Sequence, residues 1–281
     1  MMLTSFVDKG VASYGIVEGD QIADIGSILR ATHPTLKTLL GDSRKEQALA
    51  SASAAPRRPL AEIAFAPVIP DPARIICIGI NYASHIAETG RLTPEKPMIF
   101  TRFADSQVGH EQPMLRPPES KMYDFEGELA VIIGQGGRRI AAKDAFDHVA
   151  GYACYNDGSI RDWQRHTSQF TPGKTFPGTG GFGPWLVTRD EIPDPAELNL
   201  VTRLNGTVMQ QATISDLVFN VPALIAYCSV FTNLEPGDVI ITGTTGGVGA
   251  FRSPPVWMKE GDVVEVEISG IGILRNHIVD E

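Results

Sequence analysis

The stretch Asp124-Phe125-Glu126-Gly127-Glu128 leads straight into an apolar run at 129–133. Side chains on a strand alternate between faces, so Glu126 and Glu128 point to the same side. Two carboxylates that close repel one another. A rotated, water-exposed strand start would tolerate the pair, and a hard cation such as Mg2+ or Ca2+, bound by oxygen ligands, would tolerate it better. A third acid ends the segment Gly151-Tyr152-Ala153-Cys154-Tyr155-Asn156-Asp157, which reads as a buried strand followed by a turn of helix. If that turn is helical, Asp157, Arg161 and Gln164 fall at i, i+4 and i+7 and line one face. A simple ion-pair cap accounts for them alone. Beside the Glu pair they supply a third carboxylate and two groups for a polar substrate.

His85 and Glu88 lie three apart in Asn81-Tyr82-Ala83-Ser84-His85-Ile86-Ala87-Glu88, so a helix brings them together. A carboxylate beside an imidazole orients it and raises its basicity, as a general base requires; an isolated pair of this kind also suits a solvated helix face. Thr242-Gly243-Thr244-Thr245-Gly246-Gly247-Val248-Gly249 is either a tight surface turn or a source of backbone and hydroxyl donors for a carboxylate. Two further signals are decoys. Gly173-Lys174-Thr175 resembles the end of a phosphate-binding loop, but Ser168 stands where its first glycine belongs, and Gly134-Gln135-Gly136 meets Arg139 where a dinucleotide fingerprint needs a third glycine. The histidines form no zinc-like cluster with the cysteines.

The elements that must position these groups are mostly strands. Short β-rich runs recur at 75–80, 129–133, 198–204, 239–242 and 263–268, punctuated by Gly and Pro. Asn205-Gly206 between two such runs predicts a hairpin with a type I′ turn. Apolar spacing predicts one helix over 216–231, capped by Ser215 or Asp216, and a short helix from Thr35 to Leu40. Residues 1–70 read as a separate small α/β unit, with an exposed helix end and linker at 48–59 closing on Pro-Arg-Arg-Pro, ahead of a β-rich unit over 71–281. Strands outnumber helices without regular alternation, which disfavours a doubly wound sheet.

The bulk numbers agree. At 281 residues, 43% hydrophobic and 20% charged, the chain can bury a large core. A net charge of −9 argues against a nucleic-acid backbone as partner. Cys77, Cys154 and Cys228 are odd in number and embedded in apolar runs, which suits buried thiols in a reducing compartment. The first ten residues carry Asp8 and Lys9 and no apolar h-region, and no stretch is long enough to span a bilayer, so the expected location is the cytoplasm.

Taken in order, these segments resemble the fumarylacetoacetate hydrolase family, the acylpyruvase and 2-oxohepta-3-ene-dioate hydratase/isomerase group. The likeness covers about residues 72–280 and includes Asn81-Tyr82 through Glu88, Glu126-Gly127-Glu128-Leu129, Asn156-Asp157 through Gln164, Gly173-Lys174, Gly183-Pro184, Leu204-Asn205-Gly206, Leu234 to Asp238 and Thr242-Gly243-Thr244. It implies an α+β, β-rich fold, a mixed β-sandwich roll with a small N-terminal α/β domain, in a homodimer. It further implies that Glu126, Glu128 and Asp157 bind Mg2+, Mn2+ or Ca2+, and that His85 with Glu88 activates water. Arg161, Gln164, Lys174 and Thr244 would hold the oxygens of a small-molecule 2-oxo acid, with Lys174 and Gln164 also stabilising a catalytic oxyanion. Two departures stand out: residues 74–84 contain no additional carboxylate, and Thr245 replaces a proline common after Thr-Gly-Thr. The first expectation is metal-dependent hydrolysis of a C–C bond in an acylpyruvate-type 2,4-dioxo acid, giving pyruvate and a second acid. Decarboxylation of oxaloacetate, and hydration or isomerisation of an unsaturated 2-oxo diacid, use the same cage; a metal-stabilised binding protein without turnover would need neither His85 nor Glu88. Arg91 and Arg102 are candidates for a distal carboxylate, or are surface charges.

Overall fold

The computed structural model describes residues 1–90 and 92–281. Its centre is the strand Gly127–Ile133, hydrogen-bonded on one side to Val149–Asn156 and on the other to Val239–Thr244, both antiparallel. The sheet continues through Ile75–Gly79, paired in parallel, to Met98–Arg102 at one edge. In the other direction Gly180–Thr188 pairs with Val149–Asn156 and then with the N-terminal strand Met2–Asp8. Val11–Glu18, Gln21–Ala23 and Arg57–Pro59 extend it to the far edge of a 12-stranded sheet. A second sheet of five strands is built on Asn199–Leu204, Val263–Ile268 and Gly272–Asp280.

Alternation along the central strands explains the layering. Leu129, Val131 and Ile133, with Ile76, Ile78, Tyr152 and Cys154, enter one apolar cluster. That cluster also takes Leu200, Val266, Ile268 and Leu274 from the five-stranded sheet, and Leu224, Ile225 and Cys228 from the helix Val221–Phe231. Ala130 and Ile132, with Ile75, Cys77, Ala153 and Tyr155, point to the opposite face, against Leu29, Leu36, Leu39 and Leu40. Strands apolar on both faces must be covered on both faces. Residues 1–70 therefore extend one edge of the sheet and cover one of its faces. The architecture is the mixed, strand-rich α+β sandwich that the sequence predicts, with all three cysteines buried and unpaired. Among the described residues no helix is long and apolar enough to cross a membrane.

The hairpin forms between Asn199–Leu204 and Thr207–Thr213, and Asn205 (φ 51°) and Gly206 (φ 77°) take the two positive φ angles that a type I′ turn needs. The short helix Leu36–Leu40 starts where expected, with the Thr35 side chain capping Thr38 N. Two expectations are corrected. The long helix begins at Val221, capped by Asn220, rather than at 216, because Pro222 lacks an N–H and is accommodated only in a first turn. The Pro-Arg-Arg-Pro run is no linker: Arg57–Pro59 is an edge strand, where proline's missing donor faces no partner.

Candidate active site

Three strand ends meet at one point. Glu126 precedes the central strand and Glu128 is its second residue, while Asp157 follows the end of Val149–Asn156. Pairing Gly127 with Asn156 sets these ends side by side, and Asp157 N donates to Glu126 O at 2.8 Å. One oxygen from each of Glu126, Glu128 and Asp157 lies within 4.8 Å of the others, and all three residues are buried.

Charge is compensated unevenly around them. Lys174 Nζ donates to Glu126 Oε2 at 2.5 Å and to Asp157 Oδ2 at 2.6 Å. Arg161 Nη2 lies 2.7 Å from Glu126 Oε1, and Arg102 Nη1 donates to Asp157 Oδ1 at 2.5 Å. Burial raises the Glu126 carboxyl, but Arg161 and Lys174 outweigh it and hold Glu126 well below the carboxylate range. Burial also disfavours the Lys174 ammonium, yet Asp157 and Glu126 keep it charged. Among the described residues Glu128 has no cation of its own and accepts only from Gly243 N, at 2.6 Å. Burial, then the Asp157 and Glu126 carboxylates, push its pKa well above the usual range. An all-oxygen donor set with one unneutralised member fits a hard divalent cation, and these three residues are the ones that would hold it.

Across the cavity, His85 and Glu88 sit on the helix Ala83–Thr89, with His85 Nδ1 3.1 Å from Glu88 Oε2. The helix is latched to the glycine-rich loop: Gly247 N donates to Glu88 Oε1, Gly246 N to Ser84 Oγ, and Ser84 Oγ lies 3.0 Å from Thr245 Oγ1. Its entry turns on Ile80, whose φ of 56° is strained for a β-branched residue, and on Asn81, which donates to Phe219 O and Thr242 O. The shared cavity, of about 90 Å³, is lined by His85, Glu126, Glu128, Arg161, Gln164 and Lys174, among others.

Residues 74–279 match the family described as fumarylacetoacetate (FAA) hydrolase C-terminal. The chain belongs to the fumarylacetoacetate hydrolase family. Within it, the chain is 42% identical over 260 residues to a mitochondrial oxaloacetate tautomerase of Bos taurus, covering 89% of this chain and 83% of that protein. The human mitochondrial oxaloacetate tautomerase gives the same figures of 42%, 89% and 83%. Among solved structures, the fumarylacetoacetate hydrolase of Exiguobacterium antarcticum superposes with a TM-score of 0.85 at 34% identity, over 100% of both chains. Maleylpyruvate hydrolase of Sphingobium sp. SYK-6, in complex with manganese(II) ion and pyruvate, gives 0.83 at 30% identity, over 100% of this chain and 99% of the other.

The structure brings Glu126, Glu128, Asp157, His85, Glu88, Arg161, Gln164, Lys174 and Thr244 together around this cavity, with changes of detail, and leaves Arg102 out of it. Asp157 is not on a helical face with Arg161: Ser159–Ile160 is a strand paired with Tyr123–Asp124, and the helix is only Arg161–Gln164. Arg161 instead donates through Nε to Asp124 and through Nη1 to Gln164 Oε1. The Thr244 hydroxyl donates to Gly127 O and accepts from Gln210 Nε2, so its proton is not offered to a ligand. Gly173 is no phosphate-loop glycine: a Cβ there would stand 2.3 Å from Gln164 N, and its absence lets Thr171–Lys174 press onto Arg161–Gln164. Arg102 is no contact for a distal carboxylate; its side chain is fully buried on Asp157, Gly158 O, Ser106 and Thr179. Arg91 lies outside the described residues.

Asp124 escaped the sequence reading. It is buried and accepts from Arg161, Gly249 N and Ala250 N, so burial raises its pKa although every neighbouring donor favours the carboxylate. The signal was present, since Asp124 shares the alternation of Glu126 and Glu128. Removing Arg102 (Arg102→Met) leaves Asp157, among the described residues, with only Lys174 opposite it. An unfolding free energy lower by about 3–5 kcal/mol is the expected result, read from urea denaturation of metal-free protein; a loss below about 1 kcal/mol would mean that Lys174 alone compensates Asp157.

Proposed function

We propose that the chain is a divalent-metal-dependent enzyme of short 2-oxo diacids that interconverts the enol and keto forms of oxaloacetate. The observation that carries this reading is the pairing, across one small cavity, of a three-carboxylate cage with an oriented imidazole. Tautomerisation moves one proton between a carbon and an oxygen and breaks no C–C bond. It therefore needs stabilised charge on the oxygen and a proton carrier beside the carbon. Bound at Glu126, Glu128 and Asp157, Mg2+ or Mn2+ would act as a Lewis acid on the 2-oxo acid's oxygens. The rest falls to the protein's own groups. Arg161 Nη2 is buried with no aligned acceptor, and the Gln164 amide nitrogen makes no hydrogen bond among the described residues, so both have donors for substrate oxygens. Glu88 occupies Nδ1 of His85 and leaves Nε2 as the nitrogen that gives or takes the proton at carbon. The identity to oxaloacetate tautomerases supports this substrate ahead of an acylpyruvate.

Hydrolysis is the second reading, favoured by the likeness to maleylpyruvate hydrolase and by a dyad equally suited to activating water. One set of assays separates them. Metal-stripped protein, with and without Mg2+ or Mn2+, is given freshly dissolved enol-oxaloacetate and an acylpyruvate, and both enol absorbance and pyruvate are followed. Metal-dependent loss of the enol without pyruvate is the expected result. Pyruvate from oxaloacetate would make the chain a decarboxylase, and pyruvate from the acylpyruvate a hydrolase. A background rate of enol decay would remove the tautomerase reading.

A further inference from the structure

A 2-oxo diacid carries two carboxylates, and the cavity's buried cations are tied to the cage, at the end where the 2-oxo group would bind. Arg161 is engaged with Asp124, Glu126 and Gln164, and Lys174 with Glu126 and Asp157. Arg102 lies behind Asp157 and does not reach the cavity wall. Arg165 differs from all three. It follows Gln164 at the end of the helix Arg161–Gln164, lines the same cavity and is exposed. Among the described residues its guanidinium makes neither a hydrogen bond nor an ion pair.

We propose that Arg165 is the specificity-determining residue that receives the far carboxylate of a dicarboxylic 2-oxo acid. The inference rests on the reading that this cavity binds a 2-oxo acid at its carboxylate cage. A planar guanidinium offers parallel N–H donors that match a carboxylate in a bidentate fork, with no buried partner to displace first. Its position one residue beyond Gln164 sets it outward from the groups that face the 2-oxo end. A monocarboxylic 2-oxo acid leaves this position to water, so Arg165 discriminates by charge at the far end of the substrate and not by shape at the near end.

The test measures binding, not turnover. Mg2+-loaded wild-type protein, Arg165→Gln and Arg165→Lys are titrated calorimetrically with oxaloacetate, 2-oxoglutarate and pyruvate. The wild type is expected to bind the diacids more tightly than pyruvate. Arg165→Gln should raise the diacid Kd about five- to fiftyfold, the range spanning an exposed ion pair and an enclosed charge-assisted hydrogen bond, and leave that of pyruvate within about twofold. Arg165→Lys should restore part of the loss, and added salt should narrow the gap between wild type and Arg165→Gln. Equal weakening of diacid and pyruvate would make Arg165 a structural residue, and no change in either would make it a surface charge; both overturn the proposal. So would a wild type that does not prefer diacids. Because no turnover is needed, an inactive protein that still shows the Arg165-dependent preference would sink the tautomerase reading and leave this one intact.

Discussion

Glu128→Gln is expected to leave the metal-free protein as stable as the wild type, or slightly more so, while removing most of its response to divalent cations. Of the three cage acids, Glu126 has Arg161 and Lys174, Asp157 has Arg102 and Lys174, and Glu128 has, among the described residues, only the Gly243 N–H. Glutamine keeps the shape and still accepts that hydrogen bond, but it brings no charge into a buried site already holding two like charges. Without metal, the change should raise the melting temperature by about 0–4 °C. With metal the sign reverses. A cation at 100 times its Kd stabilises the fold by about 2.7 kcal/mol, and a hundredfold weaker Kd at the same concentration leaves about 0.4 kcal/mol. Melts with and without Mg2+, paired with direct titration of the metal, read both numbers. A variant that melts several degrees lower without metal yet keeps the wild-type metal shift would place the cation away from these three carboxylates.

The parts of this site that were legible in the sequence depend on local geometry. Same-side carboxylates follow from the period of a strand, and the contact between His85 and Glu88 follows from that of a helix. What stayed hidden depends on separations that no local period encodes. Arg102 meets Asp157 from 55 residues away, and Arg161 meets Asp124 from 37. Arg102 reads as a distal contact or a surface charge, and Arg161 as a cap or a substrate group, until the fold sets the strand Met98–Arg102 and the helix Arg161–Gln164 beside the cage. Helical spacing also misplaced Asp157, because pairing of Ser159–Ile160 with Tyr123–Asp124 holds the chain extended where the pattern suggested a turn. The covering role of residues 1–70 is another long-range result. Their composition reads as a small unit, while their apolar helices close the face that Ala130 and Ile132 present. The Pro-Arg-Arg-Pro run shows the same limit, since its edge-strand role depends on a partner at 21–23.

His85→Ala is expected to slow the metal-loaded enzyme by about 10²–10⁴-fold, the usual contribution of a positioned general acid or base, with little change in metal affinity. The imidazole bonds to Glu88 and packs edge-on against Phe251, with ring centroids 6.0 Å apart, and it makes no hydrogen bond to a cage carboxylate. Its loss should therefore act on the proton-transfer step and appear in kcat, with KM changed far less. Glu88→Gln should cost less, about tenfold, because the imidazole remains but loses the carboxylate that orients it. Free imidazole added to His85→Ala should recover part of the rate by entering the space left beside Phe251, an effect that a purely structural histidine would not produce. The dyad's latching to the glycine-rich loop through Ser84 and Glu88 is what makes this geometry persistent. If His85→Ala retains the wild-type rate, the proton is carried elsewhere. Lys174 is then the group to test, because it lines the same wall and Asp157 and Glu126 hold its pKa up.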